Sequence, residues 1–183
     1  MPTTLAQHVT SEDGTRIGLW VSGEGPPLVM VHGAMADHTT LALVAPLLEP
    51  HFTVYALDRR GRGASGDAPT YSVEHEYADV AIVVDAVAGR TGGPVSLYGH
   101  SYGATCALGS ALRTSNIYRL ALYEPALRGV FDYPPGFLDR LSALVAAGEA
   151  EQAVELAYRE RVGLTPAQLE AMRAMPSSHG PRG

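Results

Sequence analysis

The sequence lacks the features that mark several specialised classes of protein. Its one cysteine, Cys106, cannot form a disulfide within the chain, which is typical of a reducing compartment. No cysteine and histidine cluster has zinc-ligand spacing, and no run of 18 apolar residues is present to span a membrane. Residues 1–15 contain no basic segment followed by an apolar run, so they do not have the pattern of a signal peptide. The 13 lysine and arginine residues are scattered through a chain of net charge −6, which argues against a nucleic-acid or membrane surface. We therefore expect a cytoplasmic protein.

The order of the sequence patterns predicts an α/β protein. With 183 residues, of which 46% are apolar and 17% charged, the chain is long enough for a sizeable core. After an initial hairpin, short apolar segments alternate with segments of helical spacing, and this alternation predicts a mostly parallel sheet of about six strands with flanking helices. The predicted strands are 5–10, 16–22, 28–31, 52–57, 95–98 and 120–123. The predicted helices among them are 39–48, one that begins after the N-cap Ser72 and ends at Gly92, and 102–113.

The character of the chain changes after residue 127, because no further strand pattern follows. Residues 136–147, 149–162 and 166–175 have helical patterns, and a helical run after a sheet is typical of a lid. We therefore divide the chain into an α/β core (1–127), a helical lid segment (128–175) and a disordered tail (176–183), which is polar and rich in glycine and proline.

One motif points to chemistry. Residues 99–103 read Gly99-His100-Ser101-Tyr102-Gly103, a G-x-S-x-G pattern directly after the apolar run 95–98. A strand that turns at a serine into a helix presents the hydroxyl at a sharp corner, and glycines two residues to either side let strand and helix approach closely. The motif predicts that Ser101 projects above the sheet as a nucleophile.

Three motifs follow successive predicted strands of the sheet. They are His32-Gly33-Ala34, the loop that runs from Asp58 to Ser65 (DRRGRGAS), and the motif around Ser101. Together they resemble the α/β-hydrolase fold superfamily, in its small single-domain branch with a lid (abhydrolase 1 type). The resemblance implies a serine hydrolase that needs no metal or cofactor and takes a small apolar, ester-like substrate. In this resemblance Ser101 is the catalytic nucleophile, and the backbone N–H groups of Ala34 and Tyr102 form the oxyanion hole. The residues that support these loops are His32, Gly33, Asp58, Gly99 and Gly103.

The sequence also departs from the family pattern. The family's histidine follows the last strand and its acid usually follows the strand after the lid, and neither strand is found here. We therefore expect a C-terminally truncated member without a credible general base and with negligible turnover. Glu124, at the end of strand 120–123, is a candidate alternative acid, as in haloalkane dehalogenases; the other interpretation is that it orients local backbone. His38 lies near the oxyanion loop, and we expect it at the rim of the pocket, not as a base.

Two other functions stay open on the same scaffold. One is a non-catalytic remnant that binds a small ligand or a partner, and the other is a perhydrolase or acyltransferase. A dehalogenase is disfavoured, since it would need aspartate where Ser101 stands. Without further strands, segment 120–123 would be an apolar edge strand with unpaired backbone groups, which predicts self-association through that edge.

Overall fold

The structure, a computed structural model, describes residues 4–127 and 133–174. The chain divides into two units, Met1–Leu127 and Arg128–Gly183, and each is described here by itself. The predicted disordered tail (176–183) lies outside the described residues, as does His179.

The first unit is built on a six-stranded sheet. Its spatial order is β1-β2-β4-β3-β5-β6. The first two strands pair antiparallel with each other and β2 pairs antiparallel with β4, whereas the β3–β4, β3–β5 and β5–β6 pairs are parallel. This confirms the predicted α/β class and its mostly parallel sheet. The strands are β1 Thr4–Thr10, β2 Arg16–Ser22, β3 Pro27–Val31, β4 Thr53–Leu57, β5 Val95–His100 and β6 Ile117–Tyr123.

Helices cover both faces of this sheet. A 3₁₀ helix at His38–Leu43 and α1 (Ala45–Leu48) replace the single helix predicted for 39–48. The break has a local cause, because Pro46 has no N–H to continue a helical ladder from the preceding turn. Helix α2 (Val73–Thr91) has the predicted boundaries, with Ser72 accepting a bond from the amide of His75 and Gly92 at φ 77° after its last turn. Helix α3 (Tyr102–Ser110) is three residues shorter than predicted, since the backbone tightens into turns at Leu112 and Arg113.

The core lies mainly between the sheet and helices α2 and α3. The central strands are covered on both faces, which explains why they are continuous apolar runs in the sequence. The single cysteine, Cys106, is fully buried in this core, and burial raises the pKa of its thiol to about 12. The side chains that the larger cluster buries completely include Ile17, Leu19, Val29, Val31, Leu57, Val80, Val83, Val84, Val87 and Val95.

The second unit is helical within its described residues. A small apolar cluster of Phe137, Leu156 and Ala157 holds its helices together. A capping box precedes the last helix: the Gln168 carboxamide oxygen accepts from the Thr165 backbone amide, and the Gln168 backbone amide donates to the Thr165 hydroxyl. In the part of the chain that the structure describes, no helix is long and apolar enough to cross a membrane. The elements are α4 Phe137–Ala146, α5 Ala150–Ala157, a π-helical turn Tyr158–Val162 and α6 Pro166–Ala174.

Candidate active site

Ser101 occupies a strained corner between β5 and α3. Its backbone has φ 53° and ψ −120°, a region that residues with a Cβ rarely adopt, and the side chain is half-buried. The flanking glycines permit the close packing that makes this corner. A Cβ on Gly99 would lie 2.6 Å from Cα of Ala104, and a Cβ on Gly103 would overlap the carbonyl oxygen of His32. Strand, serine and helix therefore meet in the geometry that the motif predicts.

The loop after β3 lies directly beside Ser101. Strands β3 and β5 pair in parallel with Val31 opposite Gly99, so the loops that follow them start at the same edge. A Cβ built on Gly33 would be 3.4 Å from the Cβ of Ser101. Within this loop Gly33 is buried, while Ala34 is exposed. Gly33 therefore lies beside Ser101, with Ala34 next to it in the chain, and Tyr102 follows Ser101 as the first residue of α3.

His32 is fully buried and is used on both ring nitrogens. Its Nδ1 lies 2.9 Å from the Gly33 carbonyl oxygen, which can only accept, so Nδ1 carries the proton. Its Nε2 then accepts from the Arg59 amide at 3.1 Å. Burial, followed by the nearby Arg59 cation, lowers the pKa of His32 to about 4. His32 is therefore a neutral brace between two loops, with no lone pair free to act as a base.

Asp58 organises the loop after β4 and the start of the 3₁₀ helix. Its carboxylate accepts from the His38 amide at 2.8 Å, the Ala64 amide at 2.9 Å and the Trp20 indole at 2.8 Å. The ring of His38 donates to the same carboxylate at 2.9 Å and stacks on Trp20 with centroids 4.0 Å apart. Burial raises the pKa of Asp58, but these hydrogen bonds outweigh it and hold the pKa at about 2. These contacts tie the loop after β4 to the start of the 3₁₀ helix.

Glu124 follows β6 and lies next to the nucleophile loop. The Ser101 amide donates to the Tyr123 carbonyl at 2.8 Å, and the Ala126 amide approaches the Ser101 carbonyl at 3.4 Å. Glu124 has φ 50°, the left-handed region, and its side chain is exposed. Its backbone is therefore held in an unfavoured conformation beside Ser101, at the place that the sequence predicted.

Among the described residues of the first unit, none of the remaining histidines forms a hydrogen bond with the Ser101 hydroxyl. His100 is half-buried with its ring 5.5 Å from that of Tyr123, and His51 is exposed. His8 is half-buried between the Arg16 guanidinium and the Ala64 carbonyl, and His75 has a buried Nδ1 without a partner.

Sequence reasoning missed two buried ion pairs behind these loops. Arg59 binds both carboxylate oxygens of Glu76, and Arg60 binds both of Asp79; all four residues are less than 5% exposed. One signal was available in the sequence. Glu76 and Asp79 are three residues apart on the side of α2 that carries Val80 and Val83, and carboxylates on a buried helix face require cations. Within the described residues, no group of three or more potential ligands is placed to hold a metal ion.

Comparison with known proteins agrees with this geometry. A sequence model of the alpha/beta hydrolase family matches residues 28–181, which is most of the chain. The chain belongs to the alpha/beta hydrolase family. A crystal structure of an alpha/beta hydrolase from Sphaerobacter thermophilus superimposes with a TM-score of 0.80 at 42% sequence identity, covering 93% of this chain and 66% of that one.

Curated relatives of the family are similar over shorter stretches. N-formylmaleamate deformylase from Pseudomonas putida is 34% identical over 133 residues, which are 70% of this chain and 48% of the relative. The probable oxidoreductase EphD of Mycobacterium tuberculosis is 36% identical over 110 residues, 57% of this chain and 18% of that protein. The chain thus spans less than half the length of these curated relatives and about two thirds of the solved hydrolase.

Proposed function

We propose that this chain carries the nucleophile and oxyanion hole of a serine hydrolase that transfers an acyl group to water. The observation that carries the proposal is the backbone of Ser101, at φ 53° between β5 and α3 with Gly33 alongside. In the proposed reaction Ser101 Oγ forms a bond to the substrate carbonyl carbon and gives its proton to a base. The leaving group departs with a proton, and water then hydrolyses the acyl-serine. The proposed substrate is a small, apolar, ester-like compound, and no cofactor takes part.

The proposed oxyanion hole consists of the backbone N–H groups of Ala34 and Tyr102. Support comes from the exposure of Ala34 beside Ser101 and from the position of Tyr102 at the first turn of α3, where amide donors lack helical partners. Two fixed donors stabilise a developing oxyanion, and removing one such donor typically slows catalysis by about 10²–10³-fold.

His32 and His38 are not placed to supply the base of this reaction. Each ring nitrogen of His32 already has a partner, and His38 is held by Asp58. Glu124 is the proposed alternative acid, supported by its position at the end of β6 and by its exposed carboxylate. We propose that the 183 residues by themselves turn over ester substrates negligibly, because a serine without its base retains only about 10³–10⁴-fold catalysis over water.

The nucleophile can be tested without turnover. We expect a fluorophosphonate probe, applied in excess for hours, to modify the folded chain once, and mass spectrometry of peptides to locate the adduct at Ser101. Ser101→Ala is the test variant, and Ser110→Ala is a matched control, since Ser110 is a buried serine on the same helix whose hydroxyl bonds the Ala107 carbonyl. Labelling that persists in Ser101→Ala would contradict the proposal.

The same probe separates the alternative functions. A folded chain that never reacts, but whose stability rises with a small ligand, would favour a non-catalytic binding remnant. An acyl-Ser101 intermediate that passes its acyl group to peroxide or an alcohol in preference to water would favour a perhydrolase or acyltransferase.

We also propose self-association through the edge strand β6. This strand is last in the sheet order, and its residues Tyr118 and Tyr123 are 64% and 55% exposed. An uncovered edge offers unpaired backbone groups to a second strand. Sedimentation should show a dimer that Tyr118→Lys weakens; a monomer at all concentrations would contradict this. We also propose a cytoplasmic location for the chain and a lid role for segment 128–175.

A further inference from the structure

The two arginines after β4 form matched ion pairs with different third contacts. Each uses Nε and Nη2 to bind a carboxylate of α2, Arg59 at 3.0 and 2.8 Å and Arg60 at 2.6 and 2.8 Å. The remaining nitrogen of Arg60 donates to Asp13 in the β1–β2 turn at 2.9 Å, far along the sheet from Ser101. The remaining nitrogen of Arg59 donates to the Gly33 carbonyl at 2.7 Å. Of these two arginines, Arg59 alone therefore contacts the loop beside Ser101.

The contact with Gly33 fixes the direction of the next amide. The Gly33 carbonyl also accepts from His32 Nδ1, so two buried donors hold it on the inner side of the loop. The peptide between Gly33 and Ala34 is trans, and in a trans peptide the C=O and N–H groups point in opposite directions. The N–H of Ala34 is consequently turned away from the guanidinium. Glycine has a permissive backbone, so this peptide could rotate if its carbonyl were released.

The same guanidinium contacts the residue that carries the second donor. Its central carbon lies 4.7 Å from the centroid of the Tyr102 ring. The Tyr102 hydroxyl is 2.6 Å from that of Tyr71, and the Tyr71 hydroxyl lies 3.3 Å from Oε1 of Glu76. Arg59 and Glu76 are thus one buried ion pair that touches the loop after β3 on one side and the first residue of α3 on the other.

We infer that Arg59, held by Glu76, is a positioning residue that aims the Ala34 amide and fixes its loop against Tyr102. This inference rests on the proposed function, because it gives these two amides their role as oxyanion donors. Arg59 itself does not contact the reacting atoms. A buried ion pair contributes little net stability compared with apolar residues of similar volume, so its presence behind this loop is better explained by orientation than by stability.

The test measures the direction of the Ala34 N–H bond directly. Residual dipolar couplings of backbone amides would be compared in the full chain for wild type, Arg59→Met/Glu76→Gln and Arg60→Met/Asp79→Asn. Each double variant removes one matched ion pair with both its charges. We expect the Ala34 coupling to change in the Arg59 double variant and to stay at its wild-type value in the Arg60 double variant, while couplings in β1 and β2 stay unchanged in the Arg59 double variant.

The reaction of Ser101 with the fluorophosphonate gives the functional readout. The rate should fall by about 10- to 100-fold in Arg59→Met/Glu76→Gln and stay within about twofold of wild type in the Arg60 double variant. If the wild type itself does not react at Ser101, the proposed function fails, and the Ala34 coupling still tests the positioning by Arg59.

Arg59→Lys is a milder variant that can be measured if the double variant does not fold. In Arg59→Lys the charge remains, but one ammonium cannot bind Glu76 through two bonds and also hold the Gly33 carbonyl in the planar geometry of a guanidinium. We expect a smaller change of the Ala34 coupling and of the rate, in the same direction. A folded Arg59→Lys or double variant with a wild-type Ala34 coupling would overturn the inference, and so would an equal loss of rate in the Arg60 double variant.

Discussion

The two units of this chain place their charged side chains in opposite ways. In the first unit Arg59 and Arg60 are 4% and 3% exposed and have buried carboxylate partners. In the second unit the arginine side chains of the Arg140–Glu160 and Arg173–Glu155 pairs are 49% and 65% exposed. Exposed ion pairs contribute little to the free energy of unfolding, whereas breaking a buried ion pair leaves one charge without solvent or a partner. The difference indicates that the buried ion pairs of the first unit hold loops in place, whereas the exposed ion pairs of the second unit lie on the surface of its helices.

Backbone strain is divided between the units in the same manner. In the described residues of the second unit, positive φ occurs at Gly136, Gly148 and Gly163, where glycine adopts it without strain. In the described residues of the first unit it also occurs at three residues with side chains, Met35 in the loop after β3, Ser101 directly after β5 and Glu124 directly after β6. Strain of this kind persists where the surroundings determine the backbone, and it is concentrated at functional loops. The four predictions below test this contrast.

Arg59→Met should have the largest effect on stability. It leaves the carboxylate of Glu76 buried and unpaired, which we expect to lower the free energy of unfolding by about 3–5 kcal/mol. Trp20, the one tryptophan of the chain, lies in the first unit, so its fluorescence during urea unfolding gives the measurement. Adding Glu76→Met should restore much of the loss, because no isolated charge then remains. A single variant as stable as wild type would show that the carboxylate of Glu76 can stay buried without Arg59 at little cost.

Acid should destabilise the first unit through His32. Its pKa is about 4 in the folded chain and about 6.5 when unfolded, so the unfolded state binds the extra proton between these values. Stability is therefore complete above pH 6.5 and falls by about 3 kcal/mol as the pH drops towards 4. Urea titrations at several pH values should show this fall in the free energy of unfolding. In His32→Asn the slope against pH should be smaller by the equivalent of about one proton taken up on unfolding. An unchanged slope in His32→Asn would assign the acid sensitivity to other groups.

Ser101→Gly should stabilise the first unit while removing the proposed nucleophile. The conformation at φ 53° and ψ −120° costs a residue with a Cβ about 1–3 kcal/mol, and the greater freedom of unfolded glycine offsets part of that gain. We expect a net increase of about 1 kcal/mol in the free energy of unfolding. Ser101→Ala keeps the Cβ and serves as the control, with little change in stability. Equal stability of the two variants would mean that the corner is not strained.

Arg140→Met should have the smallest effect. The Arg140 side chain of this pair is 49% exposed and the pair is screened by salt, so its loss should change the free energy of unfolding only slightly. Because the pair lies in the second unit, amide hydrogen exchange in α4 is the suitable measurement. A loss comparable to that of Arg59→Met would remove the contrast between the units.

The sequence predicted the elements of the first unit better than the contacts between them. Local signals are strong where one residue decides the backbone: Ser72 and Gly92 bound α2, and glycines flank Ser101. The break at Pro46 and the early end of α3 were missed, because apolar spacing alone does not distinguish a 3₁₀ turn from an α-helical one.

The candidate site divides in the same way between local and distant information. The motif placed Ser101 at a corner, since a strand, a serine and a helix are adjacent in sequence. The pairing of Arg59 with Glu76 joins residues 17 positions apart, and which of two adjacent arginines meets which carboxylate depends on how the loop folds over α2. The role of Glu76, which holds Arg59 behind Gly33, therefore required the structure.

The lone thiol in the core has a practical consequence. Cys106 is inaccessible in the folded unit, and its high pKa keeps it protonated at neutral pH. Reagents that alkylate thiols need both access and the thiolate, so they can modify Cys106 only in molecules whose core has opened. The rate of Cys106 alkylation therefore reports how often the core of the first unit is open, without any engineered label.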